Sequence, residues 1–317
     1  AGVALFARAG DATELWYRSQ MRSRDTASIR LVVTGALFIV RCAALWLVPN
    51  IWVFLALFVA EAVIASVWIS VKYLRDESAP GLTRPAREHS VGMLPQSYPL
   101  LLSGIANQVN LRGDVVILQA LAGSTAVGVY SAAARMSELA YFLPTVFMNA
   151  TLPVLLQVRK EYGAEHPRYL RMLQRSYDQA FWVGVVIAVT VGVTGTAAIS
   201  MFFGPAYDTS KHVLWIHVAA CPFVFMAAVY SKWIIAEGTL WSSLVRHSLG
   251  AVANIVLNIV LIPRWGPVGS AVATLCSYVL ASYVACFIGR RSRLAGRQMT
   301  LALIAPARLA VARLNKH

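Results

Sequence analysis

The chain has 317 residues, of which 58% are hydrophobic and only 13% are charged. Soluble domains carry about a quarter charged residues, so this composition excludes a water-soluble protein and indicates an integral membrane protein. The net charge is +14. Its distribution around the apolar runs indicates orientation in a membrane, and no nucleic-acid partner is expected.

Eight apolar runs are long enough to cross about 30 Å of hydrocarbon, which takes roughly 20 helical residues. They lie at 31–49, 51–74, 97–122, 126–156, 179–203, 211–236, 243–263 and 266–289. Lipid forbids open strands, because every backbone amide must be satisfied within its own segment. The sequence therefore predicts an all-α, polytopic membrane helix bundle with about eight full transmembrane helices and a partial helix at the start.

The last two runs are separated by a rigid, polar break in "LNIVLIPRWGPVGSAVATLCSY", residues 257–278. Pro263, Gly266 and Pro267 stop one helix and start the next. The second run restarts on small residues, including Gly269 and Ser270, which allow helices to approach closely in lipid. This stretch is predicted to be a helical hairpin.

Basic residues are concentrated in alternate loops. One set of loops and the two ends hold 21 of the 28 lysines and arginines, whereas the opposite loops hold only Lys211 and Arg264. By the positive-inside rule the basic set is cytoplasmic. Both ends of the chain are therefore predicted to lie in the cytoplasm.

No arrangement of residues indicates catalysis. Four cysteines lie within spans and lack the spacing of a metal site: Cys42, Cys221, Cys276 and Cys286. The chain has no nucleotide-binding loop of the GxxxxGK[ST] type and no evident pairing of a nucleophile with a base. We expect neither an enzyme nor a cofactor.

Charged residues within the spans are costly and usually face a cavity or a partner. Arg41 lies nine residues before Asn50 and Glu61 lies eleven after it, so the two are at similar depth on adjacent antiparallel helices. We expect them to form part of an ion-pair network. Lys232 and Arg246 lie near helix ends, where their side chains are expected to snorkel to the headgroups, although Lys232 is also a candidate for the substrate pathway.

The second hairpin repeats this arrangement around Gly123. Arg112 and Asp114 precede the turn, and Arg135 and Glu138 follow it. Depth favours an ion pair between Asp114 and Arg135, which would leave Arg112 for substrate. In the alternative arrangement Arg112 faces Glu138 and Arg135 is the free cation. Either arginine is a candidate for a water-accessible pathway.

Neutral amides within the spans are also candidates for that pathway: Asn107, Asn110, Asn254 and Asn258. The last two are four residues apart and share one helix face. Hydrogen bonding between helices is the alternative role for this pair.

Four segments in order resemble landmarks of a known family. They are "ELWYRSQMRSR", "NQVNLRGDVVILQALAGSTAVGVYSAAARMSELAYFLP", "MFFGPAYD" and "NIVLNIVLIPRWGPVGSAVATLCSY". Together they are similar to the Wzx-type O-antigen and exopolysaccharide flippases of the multidrug/oligosaccharidyl-lipid/polysaccharide exporter superfamily. The resemblance covers about residues 14–290.

The resemblance implies a fold of two six-helix lobes, of which this chain would hold the end of the first and all of a MATE-like second lobe. The implied segments are a truncated helix end with a basic cytoplasmic loop (1–30), the last two helices of the first lobe (31–74), a cytoplasmic linker (75–96), the six-helix second lobe (97–290) and a basic cytoplasmic tail (291–317). The tail is expected either to lie on the inner leaflet as an interfacial helix or to be disordered.

The resemblance also implies a function, which is translocation of an undecaprenyl-diphosphate-linked oligosaccharide by alternating access for cell-surface polysaccharide or lipopolysaccharide synthesis. The implied partners are that lipid-linked oligosaccharide, membrane lipids, and polysaccharide polymerase or assembly proteins. Three alternatives stay open. They are a lipid II flippase, a drug/cation antiporter of the same superfamily, and a non-transporting fragment or scaffold of an assembly complex.

Overall fold

The computed structural model describes residues 11–20, 22–48, 50–79 and 87–308. It divides into two compact units, unit 1 (Ala1–Arg87) and unit 2 (Glu88–His317). The predicted helix end within residues 1–10, residues 80–86 of the predicted linker and residues 309–317 of the tail lie outside the described residues. The remaining segment boundaries stay predictions.

Unit 1 consists of a short helix and a long helical hairpin. Its helices are α1 (Asp11–Ser19), α2 (Ser23–Leu47) and α3 (Ile51–Arg75). The side chain of Asn50 caps α3 by accepting from the Trp52 amide at 2.9 Å, which satisfies one of the free donors at the helix start. Apolar residues of the two long helices form the hairpin's small core: Ile29, Val33, Ala65 and Ile69.

Ion pairs connect the helices of unit 1. Arg41 of α2 donates a hydrogen bond to Glu61 of α3, and Thr34 donates to the same carboxylate at 2.6 Å. The Arg41 guanidinium also lies over the Phe58 ring, 3.9 Å from its centre. The charges at this depth are therefore neutralised within the hairpin, as their equal distance from the turn predicts.

The basic end of unit 1 is held by a second polar cluster. Arg22 lies 2.9 Å from Asp76. A hydrogen bond from Ser78, with Arg22 alongside, lowers the pKa of the Asp76 carboxyl below its ordinary value. The cluster joins the start of α2 to the end of α3.

Unit 2 is built from seven helices among its described residues. They are α4 (Arg87–Ala140), α5 (Leu143–Tyr162), α6 (Pro167–Phe202), α7 (Asp208–Val218), α8 (Cys221–Glu237), α9 (Leu240–Ser282) and α10 (Arg293–Leu303), with short 3₁₀ turns at Pro205–Tyr207 and Val284–Phe287. Helix α4 contains a non-helical residue, Gly123, with φ of 80°. A side-chain pair shows that the chain reverses there. Arg112 and Glu138 are 26 residues apart, about 39 Å along a straight helix, yet their side chains lie 3.3 Å apart.

The break in α9 forms the predicted hairpin. Gly266 has φ of 53°, and Ser270 donates to Asn258 across the turn at 2.8 Å. A Cβ at Gly269 would lie 2.4 Å from the carbonyl oxygen of Leu261, so only glycine permits the two arms to approach this closely. The hairpin expected from "PRWGPVG" is confirmed.

Six helical stretches in the described part of the chain are long and apolar enough to cross a membrane: Ser23–Leu47, Ile51–Arg75, Leu101–Ala140, Pro167–Phe202, Pro205–Glu237 and Trp241–Phe287. Two of them contain the turns at Gly123 and Gly266, so these two turns divide the six stretches into eight segments. The predicted all-α, polytopic bundle is confirmed. The predicted span 126–156 is interrupted after Ala140, and a new helix, α5, begins at Leu143.

The core of unit 2 has two parts. One lies between α6, α8 and α10, and its buried members include Tyr177, Met226 and Met299. The other lies between α4, α7 and α9, and includes Tyr130 and Leu214. Buried tyrosines in both parts bring hydroxyl groups into an otherwise apolar interior.

The start of the tail folds onto unit 2. Helix α10 packs against α6, where Gln174 donates to the Gln298 carbonyl at 2.9 Å and Trp182 donates to the Ala302 carbonyl at 3.1 Å. Arg308 donates to Asp178. Residues 293–308 therefore do not form the disordered end that was one of the two expectations. Contact of the basic face of α10 with lipid stays a prediction.

Candidate functional site

Unit 2 contains a cavity of about 450 Å³ bordered by α4, α8 and α9. Its polar lining consists of Asn107, Asn110, Tyr141, Ser231, Arg246, His247, Tyr278 and Ser282. Asn110 comes 13 residues before Gly123, and Arg246 comes 20 residues before Gly266. Along the helices these separations correspond to about 20–30 Å. The cavity therefore lies toward the end of unit 2 that is opposite these two turns.

Arg246 is the one arginine among the described residues that line this cavity, and it is only 5% exposed. One guanidinium nitrogen donates to the Ser231 hydroxyl at 2.7 Å, and the guanidinium lies 5.4 Å from the centre of the Tyr230 ring. No carboxylate lies within ion-pair distance of it among the described residues. The expectation that Arg246 snorkels to the headgroups is wrong, because helices α8 and α9 enclose its side chain.

Several polar atoms of this lining have no hydrogen-bond partner in the described part of the chain. They are Arg246 Nε, Asn110 Oδ1 and His247 Nδ1. Buried polar groups are normally paired, because an unpaired one costs about 1–3 kcal/mol. Three unpaired groups around one cavity indicate a site that is completed by water or by a ligand.

A buried polar network lies one helical turn farther along α4. The Tyr130 hydroxyl donates to the carboxylate of Asp114, and Thr274 lies 3.4 Å from the same oxygen. Tyr130 also lies 3.1 Å from Nε2 of His217. The network joins both arms of α4 to α7 and α9.

Tyr141 connects the network to the cavity. It lines the cavity, and its hydroxyl donates to the His217 carbonyl at 2.8 Å. The hydroxyl of Ser137 lies 2.8 Å from Nδ1 of His217. A ligand that displaces Tyr141 would therefore also perturb His217.

The predicted ion pair between Asp114 and Arg135 is wrong. Asp114 points into the bundle and is 4% exposed, whereas the Arg135 side chain is 71% exposed and lies 3.7 Å from Glu138. Arg112 lies 3.3 Å from the same glutamate. The pairing is therefore that of the alternative arrangement, except that Arg135 is not a free cation. Equal depth is insufficient here, because Asp114 and Arg135 face in different directions.

The remaining pathway candidates are distributed over different environments. Asn107 and Asn110 line the cavity. Arg112 instead borders an apolar groove on the outer face of α4, and Lys232 is partly exposed beside Ser231. The roles of Arg112, Arg135 and Lys232 in transport stay predictions.

Asn254 and Asn258 are fully buried within the α9 hairpin. Asn258 donates to the Asn254 carbonyl at 2.8 Å and accepts from Ser270, while Asn254 lies 3.5 Å from Ser277. These contacts match the alternative role of holding the hairpin together. Neither amide lines the cavity, and their role in the substrate pathway stays a prediction.

Sequence reasoning named Asn107 and Asn110 as pathway candidates but missed the remaining polar residues of the cavity. Arg246 and His247 form an adjacent polar pair in the apolar run "SLVRHSLGAV", and that pair was the available signal. Tyr130 and His217 gave weaker signals, since a tyrosine or histidine in a span is ordinarily part of the core. Only the tertiary structure brings them to Asp114.

A bundle of long apolar helices that encloses a polar cavity defines a polytopic membrane protein. Residues 1–159, half of the chain, match the family described as "Polysaccharide biosynthesis protein", and the chain belongs to this family. Membership of the exporter superfamily, which the four segments predicted, is confirmed.

Individual proteins that are similar to this chain include a probable flippase and two proteins of solved structure. The chain is 29% identical over 190 residues to the probable flippase AglR of Haloferax volcanii, an alignment that covers 54% of this chain and 36% of AglR. The fold is similar to that of the lipid II flippase MurJ in an inward closed conformation, with a TM-score of 0.63 and 15% identity over 94% of this chain and 63% of MurJ. A MATE protein in complex with MaL6 matches with a TM-score of 0.49 and 17% identity, over 76% of this chain and 56% of the MATE protein. The chain therefore spans about a third of AglR and less than two thirds of MurJ, and the MurJ likeness shows the fold alone.

Proposed function

We propose that the whole protein is a flippase that moves an undecaprenyl-diphosphate-linked oligosaccharide across the bacterial inner membrane. The product would serve synthesis of a cell-surface polysaccharide such as an O-antigen or exopolysaccharide. The observation that carries the proposal is the polar cavity inside unit 2, in a chain that belongs to the polysaccharide biosynthesis family.

The lining of the cavity suits a glycan. Amides from Asn107 and Asn110 and hydroxyls from Ser231 and Ser282 can exchange hydrogen bonds with sugar hydroxyls. A sugar that entered bare hydrocarbon would lose its hydrogen bonds to water, at a cost of several kcal/mol for each hydroxyl. A polar cavity lowers that barrier for the glycan, while the lipid tail remains in the bilayer.

The position of the cavity suits loading from the cytoplasm. It lies toward the end of unit 2 that is opposite the turns at Gly123 and Gly266, and the positive-inside rule predicts that those turns are extracytoplasmic. Alternating access would then expose the glycan to the other side by a rigid-body movement within the whole protein.

The alternatives differ in what they require of this site. A drug/cation antiporter would favour carboxylates in the cavity, and its described lining contains none. A lipid II flippase would share the carrier lipid and is the nearest alternative. A scaffold within an assembly complex would need no access to the cavity from either side.

The test is a translocation assay with the purified whole protein in liposomes. Undecaprenyl-diphosphate-linked oligosaccharide with a fluorophore on the glycan would be distributed in both leaflets, and dithionite added outside would quench the accessible fraction. We expect quenching to proceed beyond the outer-leaflet fraction when the protein is present and to stop at it in protein-free liposomes. Labelled lipid II serves as the parallel substrate. Movement of lipid II alone would favour the nearest alternative, and movement of neither would contradict the proposal.

A further inference from the structure

The cavity in unit 2 has one strong positive charge and no negative charge in its described lining. Arg246 supplies the positive charge, and the other polar lining groups are amides, hydroxyls and the imidazole of His247. A buried, unpaired guanidinium is unfavourable, because the desolvation of its charge is not offset by a carboxylate. The contacts with Ser231 and the Tyr230 ring offset only part of this cost. The burial of Arg246 without a carboxylate partner is explained if an anion binds to it during the transport cycle.

The single positive charge of Arg246 indicates which class of anion the cavity can bind. A diphosphate carries at least two negative charges and would be poorly matched by one arginine, since Lys232 does not line the cavity. A carboxylate carries one negative charge, and the planar guanidinium suits its geometry. The surrounding amide and hydroxyl groups suit sugar hydroxyls next to that carboxylate. The lining therefore matches an acidic sugar better than it matches the diphosphate of the carrier.

We propose that Arg246 binds the carboxylate of an acidic sugar, of the uronic acid class, within the transported glycan. This inference rests on the proposed function and names its substrate class. The Asn110 Oδ1 atom, which has no partner, is placed to accept from a hydroxyl of the same sugar. Arg246 is thus a specificity residue that selects acidic over neutral glycans.

Binding to the purified whole protein in detergent provides the first test. The probes are a trisaccharide ending in glucuronic acid, the same trisaccharide ending in glucose, and inorganic diphosphate, measured by calorimetry. We expect the acidic trisaccharide to bind at least about tenfold more tightly than the neutral one, which corresponds to one charge-assisted hydrogen bond. Equal affinities, or tighter binding of diphosphate than of the acidic trisaccharide, would overturn the inference.

Substitutions of Arg246 then test whether this residue causes the preference for the acidic trisaccharide. Arg246→Gln should reduce affinity for the acidic trisaccharide to that for the neutral one, and Arg246→Lys should retain part of the difference. The matched control is Arg264→Gln, because Arg264 is exposed and, within the described part of the chain, donates only to the carbonyl of Val260 on its own helix. A preference that survives Arg246→Gln would contradict the role of Arg246. If Arg246→Gln does not fold, Arg246→Lys provides the test. A preference for the acidic trisaccharide that stays about tenfold in Arg246→Lys would contradict binding that depends on the geometry of the guanidinium.

Translocation in liposomes separates this inference from the proposed function. Two labelled substrates with the same carrier, one with an acidic and one with a neutral terminal sugar, would be compared. Faster movement of the acidic substrate, lost in Arg246→Gln, supports both proposals. Equal movement of the two leaves the flippase function standing and contradicts acidic selectivity. Movement of neither contradicts both.

Discussion

The hydroxyls of Tyr130 and Tyr177 offer a direct comparison of a paired with an unpaired buried group. Both side chains are 0% exposed. Tyr130 donates to Asp114 and lies 3.1 Å from Nε2 of His217, whereas the Tyr177 hydroxyl has no partner among the described residues. Replacement by phenylalanine removes the same oxygen atom from each site and leaves the ring in place.

The two substitutions should have opposite effects. Tyr130→Phe removes a hydrogen bond to the Asp114 carboxylate, worth about 1.5–3 kcal/mol, and takes away the hydroxyl partner of Nε2 of His217. We expect it to lower the free energy of unfolding by about 3 kcal/mol. Tyr177→Phe removes a desolvated hydroxyl that gains nothing in return, so we expect it to raise that free energy by about 1 kcal/mol.

Unfolding of the purified protein in mixed micelles, titrated with sodium dodecyl sulfate and followed by circular dichroism, measures both changes. Reversibility must be established first, because only then do midpoints report free energies. The reasoning is refuted if the two variants are destabilised equally, or if Tyr130→Phe is the more stable of the two.

Three further predictions follow from the same structure. Arg246→Met should raise the thermal unfolding midpoint in detergent without ligand, because it removes an unpaired buried charge; a lower midpoint would show that the charge has a partner. In the sodium dodecyl sulfate titration, Gly269→Ala should lower the free energy of unfolding by about 1–3 kcal/mol. Gly35→Ala is the control, because its added Cβ meets nothing within 4 Å, and it should be neutral or slightly stabilising. Equal effects of the two substitutions would exclude close packing as the cause. In intact cells an impermeant thiol reagent should label Ser124→Cys and not Ser78→Cys, and the reverse pattern would overturn the predicted topology.

The architecture was predictable because its signals are local. Apolar run length, the breaks at Gly123 and at Pro263–Pro267, and the small residues after Gly266 each act over a few residues. Both hairpins follow from them, and so does the pair of Arg41 with Glu61, which needs only equal depth on helices joined by a short turn. The same depth argument was insufficient for Asp114, because the direction in which a side chain points depends on how several helices pack.

The cavity could not be predicted because it is assembled from residues far apart in the chain. Arg246 and Tyr141 are over 100 residues apart, and neither residue alone predicts a cavity. An arginine near a helix end usually reaches the headgroups, and only the packing of α8 against α9 encloses Arg246. The fold of α10 onto α6 depends similarly on Gln298, whose contacts with α6 are not evident from a basic tail.

The most direct test of the central claim, that the cavity of unit 2 lies on the transport path, is thiol modification during translocation. Ala228 lines the cavity, so Ala228→Cys would be introduced after replacement of all native cysteines of the whole protein, with Ser124→Cys at the distant turn as the control. We predict that a methanethiosulfonate reagent blocks movement of lipid-linked oligosaccharide by the Ala228→Cys protein, that substrate slows this modification, and that the modified control transports normally. Complete modification of Ala228→Cys with undiminished translocation would contradict the account.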